Sequence, residues 1–134
     1  MIFVLDTTAV SALMRPDPAV AARFLSTPSG AIVVPQPVIA EIRYGLARLG
    51  RSRRRSSLEA KFDLVLASVA RAEWDDEVSS QFGVTKAQLE SIGARVDDFD
   101  LAIAAHALVL SATVVTDNAR HFARIPTLNV ESWR

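Results

Sequence analysis

Short apolar runs, separated by longer stretches with helical spacing, most constrain what this chain can become. Ile2–Leu5, Ala31–Val34 and Thr113–Thr116 are dominated by β-branched and other apolar residues. A strand of that kind is covered on both faces, the usual condition of a strand in a parallel sheet flanked by helices. A parallel connection also requires a crossover, and each gap between these runs is long enough to hold one. The expected fold is therefore α/β with a central parallel sheet.

The segments between the runs carry helix signals. Thr7 or Thr8 opens a helix to Met14, and Arg15-Pro16-Asp17-Pro18 breaks it. A second helix sets Val20, Phe24 and Leu25 on one face, and Thr27-Pro28-Ser29-Gly30 is a turn. Pro37 suits the first position of a helix marked by Val38, Ile39, Ile42, Leu46 and Leu49. Gly50 ends it, and Arg51 to Arg55 form a basic connector. Ser56 or Ser57 opens a helix with Leu58, Phe62, Val65, Leu66 and Val69, followed by a short strand around Val69–Glu73. Asp75 caps a helix carrying Val78, Phe82, Leu89 and Ile92, which Gly83 bends or interrupts and Gly93 stops. Asp97 or Asp98 caps the very apolar Leu101–Leu110, whose lack of a polar face predicts burial on all sides. Ala119–Phe122 reads as a helical turn and Leu128–Val130 as an edge strand.

Composition narrows the function. Half of the 134 residues are hydrophobic and 22% are charged, the balance of a folded domain, and one domain over 1–134 is expected. There is no cysteine, which excludes a disulfide framework, a thiolate metal site and a cysteine nucleophile. No apolar run has the length of a membrane span. Asp6 follows the apolar start at once, without a basic leader, so a cytoplasmic protein without a signal peptide is expected. Fifteen basic residues balance fifteen acidic ones, but unevenly along the chain. Arg43, Arg48, Arg51, Arg53, Arg54 and Arg55 lie close together, whereas Asp97, Asp98 and Asp100 form an acidic run.

Function in open parallel sheets gathers beyond the carboxyl ends of the strands. Asp6 follows the first run and Asp117-Asn118 follow the run ending at Thr116. Glu41 lies one turn into the helix after the second run, and Asp100 near the start of the apolar helix. Carboxylates brought together at neutral pH repel, and one or more must take up a proton or share a cation. An all-oxygen set suits Mg²⁺ or Mn²⁺ rather than zinc. Such an ion serves phosphodiester hydrolysis.

Each residue also has an ordinary reading. Asp6 can simply cap a helix, Glu41 can be a solvent-facing helix acid with Arg43 as its partner, and Asp100 can be a first-turn acid. Asp117-Asn118 reads equally as a turn. Thr7 and Thr8 are N-cap or first-turn residues, and one hydroxyl can orient a carboxylate. The arginine run is either a solvated connector or a phosphate contact. His106 is a core residue, His121 a surface residue, and Trp74 and Trp133 are packing residues.

Four segments in order resemble a known family. Val4-Leu5-Asp6-Thr7-Thr8, Glu41-Ile42-Arg43-Tyr44-Gly45-Leu46, Asp97 to Ala107 and Thr113 to Asn118 with Phe122 resemble the motifs of VapC-type toxins. These are the PIN-domain ribonucleases of VapBC toxin–antitoxin systems. The resemblance implies a three-layer α/β/α sandwich with Asp6, Glu41 and Asp100 as metal-binding acids. The fourth position falls on Asn118, where many relatives carry Asp; Asp117 is the alternative filler, and Thr8 stands where relatives have Asn or Ser. The implied activity is Mg²⁺- or Mn²⁺-dependent cleavage of RNA, often a transfer RNA, which stops translation. The implied partners are RNA, a VapB-type antitoxin that can push an arginine into the acidic site, and a second copy in a homodimer. Arg51, Arg53, Arg54 and Arg55 are candidate RNA contacts.

Rival readings have specific requirements. A phosphorylated signalling domain of the flavodoxin-like kind needs a lysine after a late strand, but Lys61 and Lys86 both fall in predicted helices elsewhere. A phosphotransferase with an aspartyl nucleophile needs an acid two residues after Asp6, where Thr8 stands. A catalytically inactive module acting through a protein partner remains the alternative, and metal binding separates it from the enzyme.

Overall fold

The computed structural model describes residues 1–15 and 17–134, so the Pro16 part of the expected break lies outside the described residues. Five parallel strands form the centre: β1 (Phe3–Leu5), β2 (Ile32–Pro35), β3 (Ala70–Ala72), β4 (Thr113–Val115) and β5 (Asn129–Glu131). Among the described residues, six helices connect or flank them: α1 (Thr7–Met14), α2 (Pro18–Ser26), α3 (Gln36–Ala47), α4 (Arg53–Ser68), α5 (Asp76–Ser91) and α6 (Asp98–Leu110). The result is the expected three-layer α/β/α arrangement.

Strand order is β3-β2-β1-β4-β5. The chain therefore steps outward from β1 to β3, then returns across the sheet to β4 on the other side of β1. Right-handed crossovers before and after such a reversal place their helices on opposite faces of the sheet. β1 is covered on both faces: Val4 and Leu5 are fully buried and Phe3 nearly so. Register is in step across the reversal, with Leu5 opposite Val115. The amide of Asp6 extends that ladder by donating to the Val115 carbonyl at 3.0 Å. The carboxyl ends of β1 and β4 thus lie side by side at the reversal of strand order, the place where such sheets form a crevice.

The apolar runs became strands and the apolar helix is buried as its pattern required: every residue of α6 from Leu101 to Ala107 is buried. Four of those seven are alanine, which lets the helix lie close to β1 and β4. Gly50 and Gly93 follow α3 and α5 in left-handed backbone, the conformation that terminates a helix and favours glycine.

Several local expectations are corrected. Arg53, Arg54 and Arg55 are not a connector but the first turn of α4, because Ser52 caps the Arg55 amide at 3.0 Å. Ser52 therefore takes the place assigned to Ser56 or Ser57. Gly83 leaves α5 uninterrupted, since a helix of sixteen residues packed along α6 tolerates one glycine. α3 begins at Gln36, one residue before Pro37. Leu25 and Ile92 are exposed, not core, at 82% and 72%. Asp97, not Asp98, caps α6, accepting from the Phe99 amide at 3.0 Å. Among the described residues no helix is long and apolar enough to cross a membrane.

Replacing fully buried Ala104 of α6 with leucine overpacks the helix against its neighbours. Urea denaturation is expected to show a loss of about 1–3 kcal/mol.

Candidate active site

Asp6 closes β1 and opens α1. Its backbone is extended, and its Oδ1 accepts from the Ala9 amide at 2.9 Å and from the Thr8 hydroxyl at 2.7 Å. Cap and site acid, alternatives in the sequence, are here compatible roles of one side chain: the bonds that cap the helix also fix the carboxylate. Thr8 then ties two loops together, because its hydroxyl accepts from the Asp117 amide at 2.9 Å. The Thr116 hydroxyl lies 3.4 Å from that of Thr8 and accepts from the Asn118 amide.

Glu41 is half-buried in α3 and accepts from the Thr7 hydroxyl at 2.5 Å. Both early threonines therefore orient a carboxylate, one each. Arg43 does not pair with Glu41. Residues two apart on a helix point in different directions, and Arg43 lies 3.7 Å from Asp63 and over the Phe62 ring.

Asp100 sits in the first turn of α6, its Oδ2 3.1 Å from His121 Nδ1. His121 is exposed, as its sequence suggested, but that contact brings it to the site. No local pattern could have linked it to an acid on another element. The 3-10 turn at Ala119–His121 after β4 delivers it.

Asp117 and Asn118 separate. Asp117 is largely buried, lies 3.4 Å from Arg134 and bears electrostatically on Asp6. The Asn118 side chain is exposed and has no hydrogen-bond partner among the described residues. Asp117, rather than Asn118, is thus the one whose charge is felt at Asp6. Arg134, which pairs also with Asp17 at 3.0 Å, was not anticipated as a neighbour of the site.

Two of the candidate carboxyls lie above their ordinary value, and burial, more than the crowding of acids, is the cause. Burial pushes the Asp6 carboxyl above its ordinary value, against the hydroxyls of Thr116 and Thr8 and the Ala9 amide, with Asp117 raising it further. Asp100 is also raised, mainly by partial burial. His121 opposes that, whereas Asp97, Glu41 and Asp6 add to it. Asp6, Glu41 and Asp100 thus share one field. Yet among the described residues no three carboxylate or imidazole side chains converge closely enough to ligate one ion together.

Two clefts flank these acids. One, of about 600 Å³, is lined by Thr8, Glu41, Arg54, Asp117 and Arg134, with Ile42 and Leu46 among its apolar wall residues. The other, of about 300 Å³, lies beside Asp100 and His121. Of the arginine run, Arg54 reaches the first cleft, Arg55 is paired with Glu59, and Arg51 and Arg53 line neither. His106 is buried in α6, a core residue as expected, with its Nδ1 2.9 Å from the Ala102 carbonyl and its Nε2 without a hydrogen-bond partner among the described residues. Trp133 is buried against Phe3, whereas Trp74 is half-exposed.

Fold and acids together define the class: the chain belongs to the PIN-domain family, whose model matches residues 3–128. Within that family its relatives include VapC ribonucleases. Ribonuclease VapC2 of Rickettsia felis is 31% identical, over 99% of this chain and 98% of its own. The tRNA(fMet)-specific endonuclease VapC of Shigella flexneri is 25% identical over 98% and 97%. Among solved structures, VapBC2 from Rickettsia felis bound to a promoter DNA fragment matches with a TM-score of 0.89, 28% identity and full coverage of both chains. DNA-bound VapBC from Salmonella typhimurium matches at 0.88 with 25% identity, covering 100% of this chain and 99% of that one.

The raised carboxyls predict a pH signature. A raised folded-state value stabilises the native state below the ordinary value of 3.8, and that contribution is lost as pH rises through the raised value. Asparagine keeps the Oδ1 that receives both bonds and does not ionise. In EDTA, Asp6→Asn is therefore expected to gain thermal stability relative to the parent as pH rises from about 4 to about 7. Asp6→Ala, which loses the cap, is expected to cost about 1 kcal/mol at the acid end.

Proposed function

We propose that this chain is a divalent-cation-dependent endoribonuclease of the VapC type, the toxin of a toxin–antitoxin pair. The observation that carries the reading is the pair of bonds from adjacent Thr7 and Thr8 to the carboxylates of Glu41 and Asp6, beside the reversal of the sheet. The names of the relatives, ribonuclease and tRNA-specific endonuclease, support RNA as substrate. The VapBC complexes among the structural relatives support a VapB-type partner.

The donor set fits Mg²⁺ or Mn²⁺. Every candidate donor is an oxygen, and the two raised carboxyls gain most from a cation. The spread of the acids also suits a hard ion that keeps several of its waters. Asp6, Glu41 and Asp100 would hold it in part through its retained waters, with Asp117 beside Asp6. When bound, such an ion supplies Lewis acidity toward a phosphoryl oxygen and acidifies water.

The chain's own groups supply position. Thr8 and the Ala9 amide hold Asp6, Thr7 holds Glu41, and His121 holds Asp100. None of these bonds leaves a carboxylate free to swing as substrate arrives. Hydrolysis needs no side-chain nucleophile: a water oxygen bonds to phosphorus and the bond to one ribose oxygen breaks. Cytoplasmic action and arrest of translation follow from this reading, as does a homodimer.

Purified, antitoxin-free protein is expected to cleave a pool of cellular RNA with Mn²⁺ and not with EDTA. Groups that only support a metal site are commonly worth about 10–100-fold in activity. Asp6→Asn is accordingly expected to lose about 100-fold or more while keeping its circular dichroism spectrum. Folded protein that cuts no RNA with either cation would instead indicate an inactive PIN-like module acting through a protein partner.

A further inference from the structure

The smaller cleft beside Asp100 is walled by Arg95, Arg120 and Arg124, with Asp97, Asp100 and His121 completing its charged lining. The three arginines come from two separate segments. Arg95 precedes α6, whereas Arg120 and Arg124 lie in and just after the turn that follows β4. All three are exposed, and none forms an ion pair or side-chain hydrogen bond among the described residues. Of the arginines expected to meet RNA, only Arg54 lines either cleft among the described residues, the larger one with Glu41. Arg55 is engaged by Glu59, and Arg51 and Arg53 line neither cleft.

We propose that Arg95, Arg120 and Arg124 hold the RNA phosphates flanking the bond cut at the acidic site, an inference that rests on the endoribonuclease reading above. A polyanion approaching an acidic centre is repelled unless cations stand beside that centre. This chain has no net positive charge to supply the attraction at long range. Unengaged guanidinium groups adjoining Asp100 supply it locally, and their planar fork matches phosphate oxygens. Asp100 is the hinge of the arrangement: it lines the arginine cleft and shares the field of Glu41 and Asp6. A strand lying in the cleft therefore passes Asp100, one of the three site acids.

The test combines binding and turnover. Binding of a fluorescein-labelled, unstructured RNA is followed by anisotropy in EDTA across a KCl series, and cleavage of the same RNA is followed in Mn²⁺. Arg120→Ala/Arg124→Ala is expected to bind more weakly. Its log K against log salt should be shallower by about 1.4, about 0.7 for each lost contact to a single strand. In cleavage, KM is expected to rise severalfold while kcat stays within about twofold. Arg120→Lys/Arg124→Lys should restore most of the salt slope. Lys61→Ala/Arg71→Ala, which removes two exposed charges lining neither cleft, should leave it unchanged. An unaltered slope and KM in the alanine double variant overturn the proposal, while Mn²⁺-dependent cleavage by the parent keeps the endoribonuclease reading. Loss of binding to polyglutamate with RNA binding intact also overturns it, and marks the cleft as a seat for an acidic protein segment. A parent that neither binds nor cuts RNA removes both.

Discussion

The carboxylate of Asp6 is placed where it is most costly and most useful. It lies at the end of the central strand, nearly without solvent, and is held by the Ala9 amide and the Thr8 hydroxyl. A buried carboxyl in such a setting resists ionisation. The surrounding structure keeps it there because the same oxygen caps α1, and a helix N-terminus favours negative charge. Thr8 extends the constraint outward. By bonding to Asp6 and receiving the Asp117 amide, it fixes the spacing of the loops after β1 and β4.

That spacing is a consequence of topology. Only at the reversal between β1 and β4 do neighbouring strands send their following segments to different places, leaving a gap at the sheet edge. Elements distant in sequence then supply the rim. α3 brings Glu41 and α6 brings Asp100, while the turn after β4 brings His121 back onto Asp100. The small side chains of α6 matter to this. A bulkier helix would stand off the sheet and carry Asp100 away from Asp6 and Glu41.

The strands and the buried helix were legible because their physics is local: an apolar run without polar relief can only be covered on both sides. Asp6, Glu41 and Asp100 were legible as strand-end or first-turn acids, though each had an ordinary reading that local pattern could not remove. The start of α4 was misread because a cap is one side chain and one amide, and three serines competed for the role. The Glu41–Arg43 pairing was misplaced because nearness in sequence is not nearness on a helix. His121 and the arginine cleft were invisible for a different reason. Arg95 and Arg120 lie far apart in the chain, and only the packing of α6 beside the loop after β4 makes them neighbours.

The acids are oriented without being neutralised. Hydroxyls and amides hold Asp6 and Glu41, and the nearest arginine in sequence to Glu41 is turned toward Asp63. Had guanidinium groups paired with these carboxylates directly, the clustered charge would be quenched, and with it the reason to bind a cation. Asp117 shows the contrast, because Arg134 stands against it and partly satisfies it. The positive charge near Asp100 is instead held one step away, on a cleft wall. On the function proposed above, separating the signs in this way would let a cation and a polyanion bind side by side, the requirement for hydrolysing a phosphodiester. Net charge therefore says little about such a protein: fifteen positive and fifteen negative groups cancel in the sum, but their segregation at the sheet edge does not.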